Sequence, residues 1–326
     1  MLKKSRAQGA QKTGRAALRD TALRGAAPCT SPPNLPSAAR RPLVFCLLVL
    51  VSAAAAPQSG ISGALEWDKM EISAQVSVDL KAAGLRLPTG RTQAEELISA
   101  EYLALIRPLI LSIPVDSSSI VGDHIAAGEF SLQKAEAYAL SARLVPPAMS
   151  AGLEQMKAAY TISLGGLSQE FIKNRRPQSP RRVLAALPAA AYTGIVIIAA
   201  GELPLHGTRR SARAQPCLFP KIWDSGMNLV YDRTMLGARE TVMVHYARED
   251  SIFRRNPSGL SPEIEALVGD KPLRILARGL FGIRPTDIII DAEDALTIIG
   301  GEENRSLLRE GKVVIVLDDS MLKTEF

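Results

Sequence analysis

The sequence predicts an α/β (α+β) fold of mixed, largely antiparallel sheets with helices packed on one face, arranged in two lobes. Three observations lead there. Met70 to Leu80 alternates strictly between apolar and polar residues, the period of a half-buried strand. Arg91 to Ile106 changes to a three- and four-residue spacing, the period of a helix with one buried face. Tyr192 to Ala200 is apolar on both faces apart from Thr193, as in a central strand covered on both sides.

The elements follow in chain order. Pro42 to Gly60 carries no charge and centres on Leu43–Val51, with Arg40 and Arg41 before it and the small residues Ser52–Ala56 after it. A basic flank, a short apolar core and small residues are the pattern of a secretory signal. The core with its alanines, Leu43 to Ala56, is 14 residues long, short of the roughly 20 that span a bilayer as a helix. Ala53 and Ala55 fit the small-x-small rule, which places cleavage near Ala55 and makes Ala56 the first mature residue. Cys46 lies inside the apolar core rather than after it, so lipid attachment is disfavoured and only peripheral membrane association is left open. Residues 1–41 hold nine Lys or Arg and one acid, a net of +8; the whole chain is +6, which leaves −2 for the rest. The basic character belongs to the leader, and nucleic-acid binding inferred from global charge would be an error. A transit-peptide reading fits the Arg-, Ala- and Ser-rich leader as well.

Cys29 and Cys46 lie in the leader, so the remainder keeps only Cys217 and forms no internal disulfide. Residues 57–172 read as an N-terminal strand–helix domain. In it the strand at 70–80 is broken by Gly84 and Pro88–Gly90, and the helix from Arg91 is ended or kinked by Pro108. Ile113–Asp116 is a loop, and Val121–Glu129 a short turn or helix. Ser131–Arg143 reads equally as helix or strand. Tyr160–Leu164 is a strand ended by Gly165–Gly166. A basic linker at 173–190 opens with Lys173–Arg182, which carries two prolines and no aromatic residue. The C-terminal α/β domain, 191–326, begins with the central strand. A hairpin follows, Leu218–Trp223 and Leu229–Tyr231 about Asp224–Gly226, then a strand at Met243–Tyr246. Ser261 and Pro262 start a short helix as N-cap and first residue. Leu273–Ala277 and Asp287–Ile290 are strands, a helical stretch from Ala292 is interrupted at Gly300–Gly301, and Lys312–Leu317 is the final strand.

Motifs for chemistry are sparse. The sequence contains no GxxxxGK[ST] and no GxGxxG, so no phosphate cradle is expected. His124, His206 and His245 have no HxxxH or HxH spacing, and no metal or cofactor is expected. Asp291, Glu293 and Asp294 cluster where a strand enters a helix, a place where acids are favoured by capping and the helix dipole alone. Cys217 reads as a small buried hydrophobe.

One connected pattern remains: Tyr192-Thr193-Gly194-Ile195-Val196-Ile197 through Gly201, then Pro216–Ile222, Gly226 and Val230-Tyr231. It resembles exported bacterial envelope proteins related to the small outer-membrane lipoprotein family that includes flagellar basal-disk and H-ring components. Leu65–Asp68 with the strand and Ala-rich helix after it, and Pro285–Ile290 with Gly311–Val316, resemble that family's two ends. The resemblance implies a non-catalytic exported protein, periplasmic or at the inner face of the outer membrane. It implies association with envelope proteins, flagellar motor components among them; the charge balance gives no reason to expect a nucleic-acid partner, and a homo-oligomer is expected. Tyr192, Trp223 and Tyr231 are the candidate interaction residues. Glu202–Arg213 stands as an insertion where the family has a short loop. A periplasmic small-ligand-binding protein or hydrolase built on the acids at 291–294 is the alternative.

Overall fold

Strict alternation at 71–79 has the effect that chain physics requires: every second side chain is buried. The computed structural model describes residues 59–326 apart from 174–175, 180–189, 238 and 255–257. The leader, the cleavage position near Ala55 and most of the basic linker lie outside the described residues. The described residues form one compact unit.

The N-terminal half is a two-layer arrangement. β1 (Ser59–Glu66) and β2 (Glu71–Asp79) pair antiparallel. α1 (Gly90–Ser112), α2 (Val121–Ala126) and α3 (Leu132–Leu140) follow, then β3 (Arg143–Met149), β4 (Gln155–Ser163) and α4 (Leu164–Phe171). Ile72, Ala74, Val76 and Val78 of β2 and Met156, Ala158 and Ile162 of β4 are buried on one sheet face. α1 packs on that face through Ala94, Ile98, Tyr102, Ile106 and Ile110. Pro108 does not end α1, because it sits on the exposed side while the buried stripe continues to Ile110. Ser131 resolves the open reading of the next segment as a helix: its hydroxyl accepts from the Lys134 N–H at 3.2 Å, an N-cap. Gly165 and Gly166 do not end a strand; they lie in the first turn of α4, whose Leu164, Leu167 and Phe171 are buried. The Pro146–Pro147 pair hides β3 from a reading by propensity, since proline belongs only on an edge or at a bulge. Both hold here: β3 is an edge strand, with a register shift between Val145 and Ala148.

Among the described residues, the C-terminal half holds three further sheets, two four-stranded and one two-stranded. Its elements are β5 (Ile195–Ile198), β6 (Glu202–Pro204), β7 (Ser211–Arg213), β8 (Ile222–Asp224), β9 (Leu229–Tyr231), β10 (His245–Arg248), α5 (Pro262–Val268), β11 (Leu273–Leu276), β12 (Gly279–Phe281), β13 (Asp287–Ile290), α6 (Ala292–Gly300), α7 (Glu302–Arg309), β14 (Val313–Leu317), α8 (Asp319–Leu322) and β15 (Lys323–Glu325). β5 is central in an all-parallel sheet of order β10-β14-β5-β11. Its two faces enter different clusters: Val196, Val314 and Val316 join Ile264 and Val268 of α5, while Ile195, Ile197 and Ile315 join the main core. Helices therefore cover one face of the N-terminal sheet, whereas the parallel sheet is buried on both. Gly194 makes the α5 contact possible, since a Cβ there would lie 2.4 Å from the Cβ of Val268. The second four-stranded sheet, β12-β13-β8-β9, contains the expected hairpin, and residues 202–213 form the two-stranded β6–β7 sheet. Most ladders are antiparallel.

Two devices join the halves. β15 returns to the N-terminal sheet and pairs antiparallel with β1, giving the order β15-β1-β2-β4-β3. The loop after α1 docks on the C-terminal half: Leu218 and Phe219 donate backbone N–H bonds to the carbonyls of Pro114 and Val115 at 3.0 and 2.9 Å, and Arg284 donates to Ser117 at 2.9 Å.

Candidate functional site

The uncovered face of the N-terminal sheet is set by register. Ala64 lies opposite Ser73, and Ser62 opposite Gln75; Ser73 lies opposite Thr161, and Gln75 opposite Ala159. Cross-strand neighbours share a face, so these small polar and alanine side chains point away from α1. They line a shallow, open concavity of about 580 Å³, with Lys323, Glu325 and Phe326 alongside. Gln75 is exposed there. Small side chains on a twisted sheet give a broad, low surface, suited to another protein rather than to an enclosed small molecule.

A buried polar cluster lies at the junction of the halves. Asp287, at the start of β13, is 1 % exposed. Its Oδ2 accepts from the Ser117 hydroxyl at 3.1 Å and from Trp223 Nε1–H at 3.3 Å. Its Oδ1 accepts from the Lys221 N–H at 3.2 Å and faces the Thr286 hydroxyl at 3.4 Å. Burial pushes the Asp287 carboxyl above its usual value, and the donors pull it part of the way back. Beside it, the Tyr246 hydroxyl donates to the Cys217 carbonyl at 2.7 Å and accepts the Cys217 N–H at 2.9 Å. Cys217 is fully buried, and burial pushes its thiol far up, the environment of an inert cysteine.

The three candidate interaction residues do not form one surface. Tyr231 is 0 % exposed and donates its hydroxyl proton to the Met243 carbonyl at 3.1 Å, so it is a core residue and offers nothing to a partner. Trp223 is half-buried, with its ring edge-on to Phe281 at 5.9 Å and its N–H on Asp287. Tyr192 is half-buried, and its N–H donates to Asn304 Oδ1 at 3.1 Å. Asn304, 2 % exposed, also donates to the carbonyls of Ala190 and Thr297, both at 3.0 Å. It anchors the entry to β5, a role invisible from its place beside two glutamates.

The histidines are apart. His124 Nδ1 lies 2.8 Å from Glu129 Oε2 and Nε2 lies 3.1 Å from the Ser119 hydroxyl. The Ser119 and Ser118 hydroxyls also donate to Asp116 Oδ1 at 2.8 Å, and the backbone N–H groups of Ser118 and Ser119 donate to it at 2.9 Å. This cluster ties down the 116–119 turn that docks on the C-terminal half. His206 meets Phe281 edge-on, and burial lowers the His245 pKa. Asp291 pairs with Arg278 at 2.6 Å, and no hydrogen bond joins a histidine to Asp291, Glu293 or Asp294 among the described residues. Among them, no group of three or more His, Cys, Asp or Glu is placed to hold a metal ion, and no helix is long and apolar enough to cross a membrane.

Residues 58–170 match the family model described as Treponema pallidum Tp0624, N-terminal domain. Residues 194–319 match the one described as Treponema pallidum Tp0624, second domain. No curated protein matches the chain. Neither description names a lipoprotein or flagellar family. The two matches flank the basic linker and stand in the order N-terminal, then second, so the chain is built of two successive regions similar to those two domains of Tp0624.

Proposed function

We propose that this is a non-catalytic exported protein of the cell envelope that acts by associating with other proteins. The observation that carries the reading is the open outer face of the N-terminal sheet, lined by Ser62, Ala64, Ser73, Gln75, Ala159 and Thr161. An antiparallel sheet with one face on helices leaves its other face to water or to a partner. Support for export comes from the apolar run at 43–51 with its basic flank. Envelope proteins are the partners this reading names, with flagellar motor components as the finer possibility drawn from the sequence resemblance.

The test is affinity recovery of the tagged chain from envelope fractions, with the mature N-terminus determined in the same sample. A mature start at Ala56 and a recovered complex are expected. An uncleaved chain recovered alone from the cytosol would overturn the proposal. The small-ligand-binding or hydrolase alternative predicts instead that Asp294→Asn changes binding or turnover of a small molecule while leaving any complex intact.

A further inference from the structure

Among the described residues, the edge of β1 away from β2 is only half filled. On the side away from β2, β15 pairs with Ala64–Glu66, and Gly63 and Phe326 exchange both backbone bonds at 3.1 Å each. The Phe326 ring sits where a Cβ on Gly63 would be, 2.3 Å from it, so this edge already accepts a strand of the chain itself. Among the described residues, Ser59–Ser62 pair with β2 alone. In an antiparallel ladder the N–H and C=O of one residue point to the same side, and the sides alternate. Because Gly63 faces β15, Ile61 and Ser59 turn their N–H and C=O off the sheet, while Gly60 and Ser62 turn theirs toward β2.

The other sheet edge is protected and this one is not. β3 carries Arg143, Pro146 and Pro147 and a bulge, and β15 alternates Lys323 and Glu325. Charges, prolines and bulges are the devices that stop strand-to-strand pairing. Ser59-Gly60-Ile61-Ser62 has none of them, and Ile61 is 39 % exposed. A depression of about 180 Å³ lined by Gly60, Ile61, Ser62, Gln75, Ser77 and Lys157 adjoins the segment.

We propose that the open edge at Ser59–Ser62 pairs antiparallel with the same edge of a second copy of this chain. A two-fold axis generates antiparallel pairing of identical strands. Centred on Gly60, it sets Ile61 of each copy opposite Ser59 of the other, so the outward groups of both are satisfied while β15 stays in place. The edge is uncharged, so like charges are not brought face to face, and it continues a ladder that β15 has begun. The proposal rests on the association reading and names one partner for it.

Sedimentation of the full chain over a wide concentration range tests this, comparing wild type with Ile61→Pro and Ile61→Lys. Proline at 61 removes only the outward N–H, and Gly60 before it has no Cβ to clash. The expected result is a reversible dimer for wild type and self-association weakened by about tenfold or more in both variants, with wild-type circular dichroism. A wild type that stays monomeric throughout, or variants that dimerise as wild type does, would overturn the pairing. If Ile61→Pro fails to fold, Ile61→Lys decides alone. A monomeric wild type that still recovers an envelope partner removes the pairing and leaves the association reading standing; a chain that does neither removes both.

Discussion

Asp287 shows how a single residue can look like chemistry and act as structure. Its carboxylate gathers Ser117 from one half of the molecule and Trp223 and the Lys221 N–H from the other. Removing it strands the buried Ser117 hydroxyl and the half-buried N–H groups of Trp223 and Lys221, and a fully buried unsatisfied group costs about 1–3 kcal/mol. Asp287→Ala is expected to lower unfolding stability by about 3 kcal/mol or more on that basis, read by denaturant titration. The pH dependence has a definite sign. Burial raises the folded carboxyl above its unfolded value, so the folded state holds the proton longer. Stability from this group then falls as pH rises from the ordinary carboxylate value, about 3.9, through the raised one. Asp287→Asn should remove that part of the slope; a pH profile unchanged by the substitution would contradict the account. Tyr231 and Trp223 make a second contrast. Tyr231→Ala empties a fully buried site and is expected to cost about 3–5 kcal/mol, whereas the half-buried Trp223→Ala should cost less, and paired thermal melts decide it.

Helices and strands were legible where their period was long and clean. β2, the first four turns of α1, β5, β13 and β14 follow directly from alternation or apolar runs, because each buries a whole face or both. What period could not show was context. Pro108 is tolerated inside α1 because it stands on the solvent side, and Gly166 of α4 permits close approach, since a Cβ there would lie 3.2 Å from the Tyr138 ring. β1 was hidden by the apolar run beside it, and β3 by its prolines. The candidate site was less legible still. Alternation marked Ser73 and Gln75 as outward but could not show that Ser62, Ala159 and Thr161 join them across strands, nor that Tyr231 turns inward. Element packing gives its own prediction at Gly194. Gly194→Ala places a Cβ 2.4 Å from Val268, and the overpacking is expected to cost about 2 kcal/mol or more, measured as a lowered melting temperature.

At the scale of the whole molecule, the chain closes on itself. Its two regions similar to the Tp0624 domains are joined through β15 and through the 113–120 loop as well as through the linker. That double junction predicts one cooperative unfolding transition, since neither half keeps its sheet or its polar cluster satisfied alone. Phe326→Ala should weaken the clasp and raise hydrogen exchange at Gly63 and Leu65 more than at Ile195; equal effects at both would show that β15 is not what holds β1. A closed body of this kind leaves the outer face of the β1–β4 sheet as the surface on which the account depends. The most direct measurement is recovery of the tagged chain from envelope fractions with Gln75→Arg on that face, alongside wild type. The account predicts that the variant melts as wild type does and loses the recovered complex. A variant that folds normally and recovers the same complex in full would contradict it.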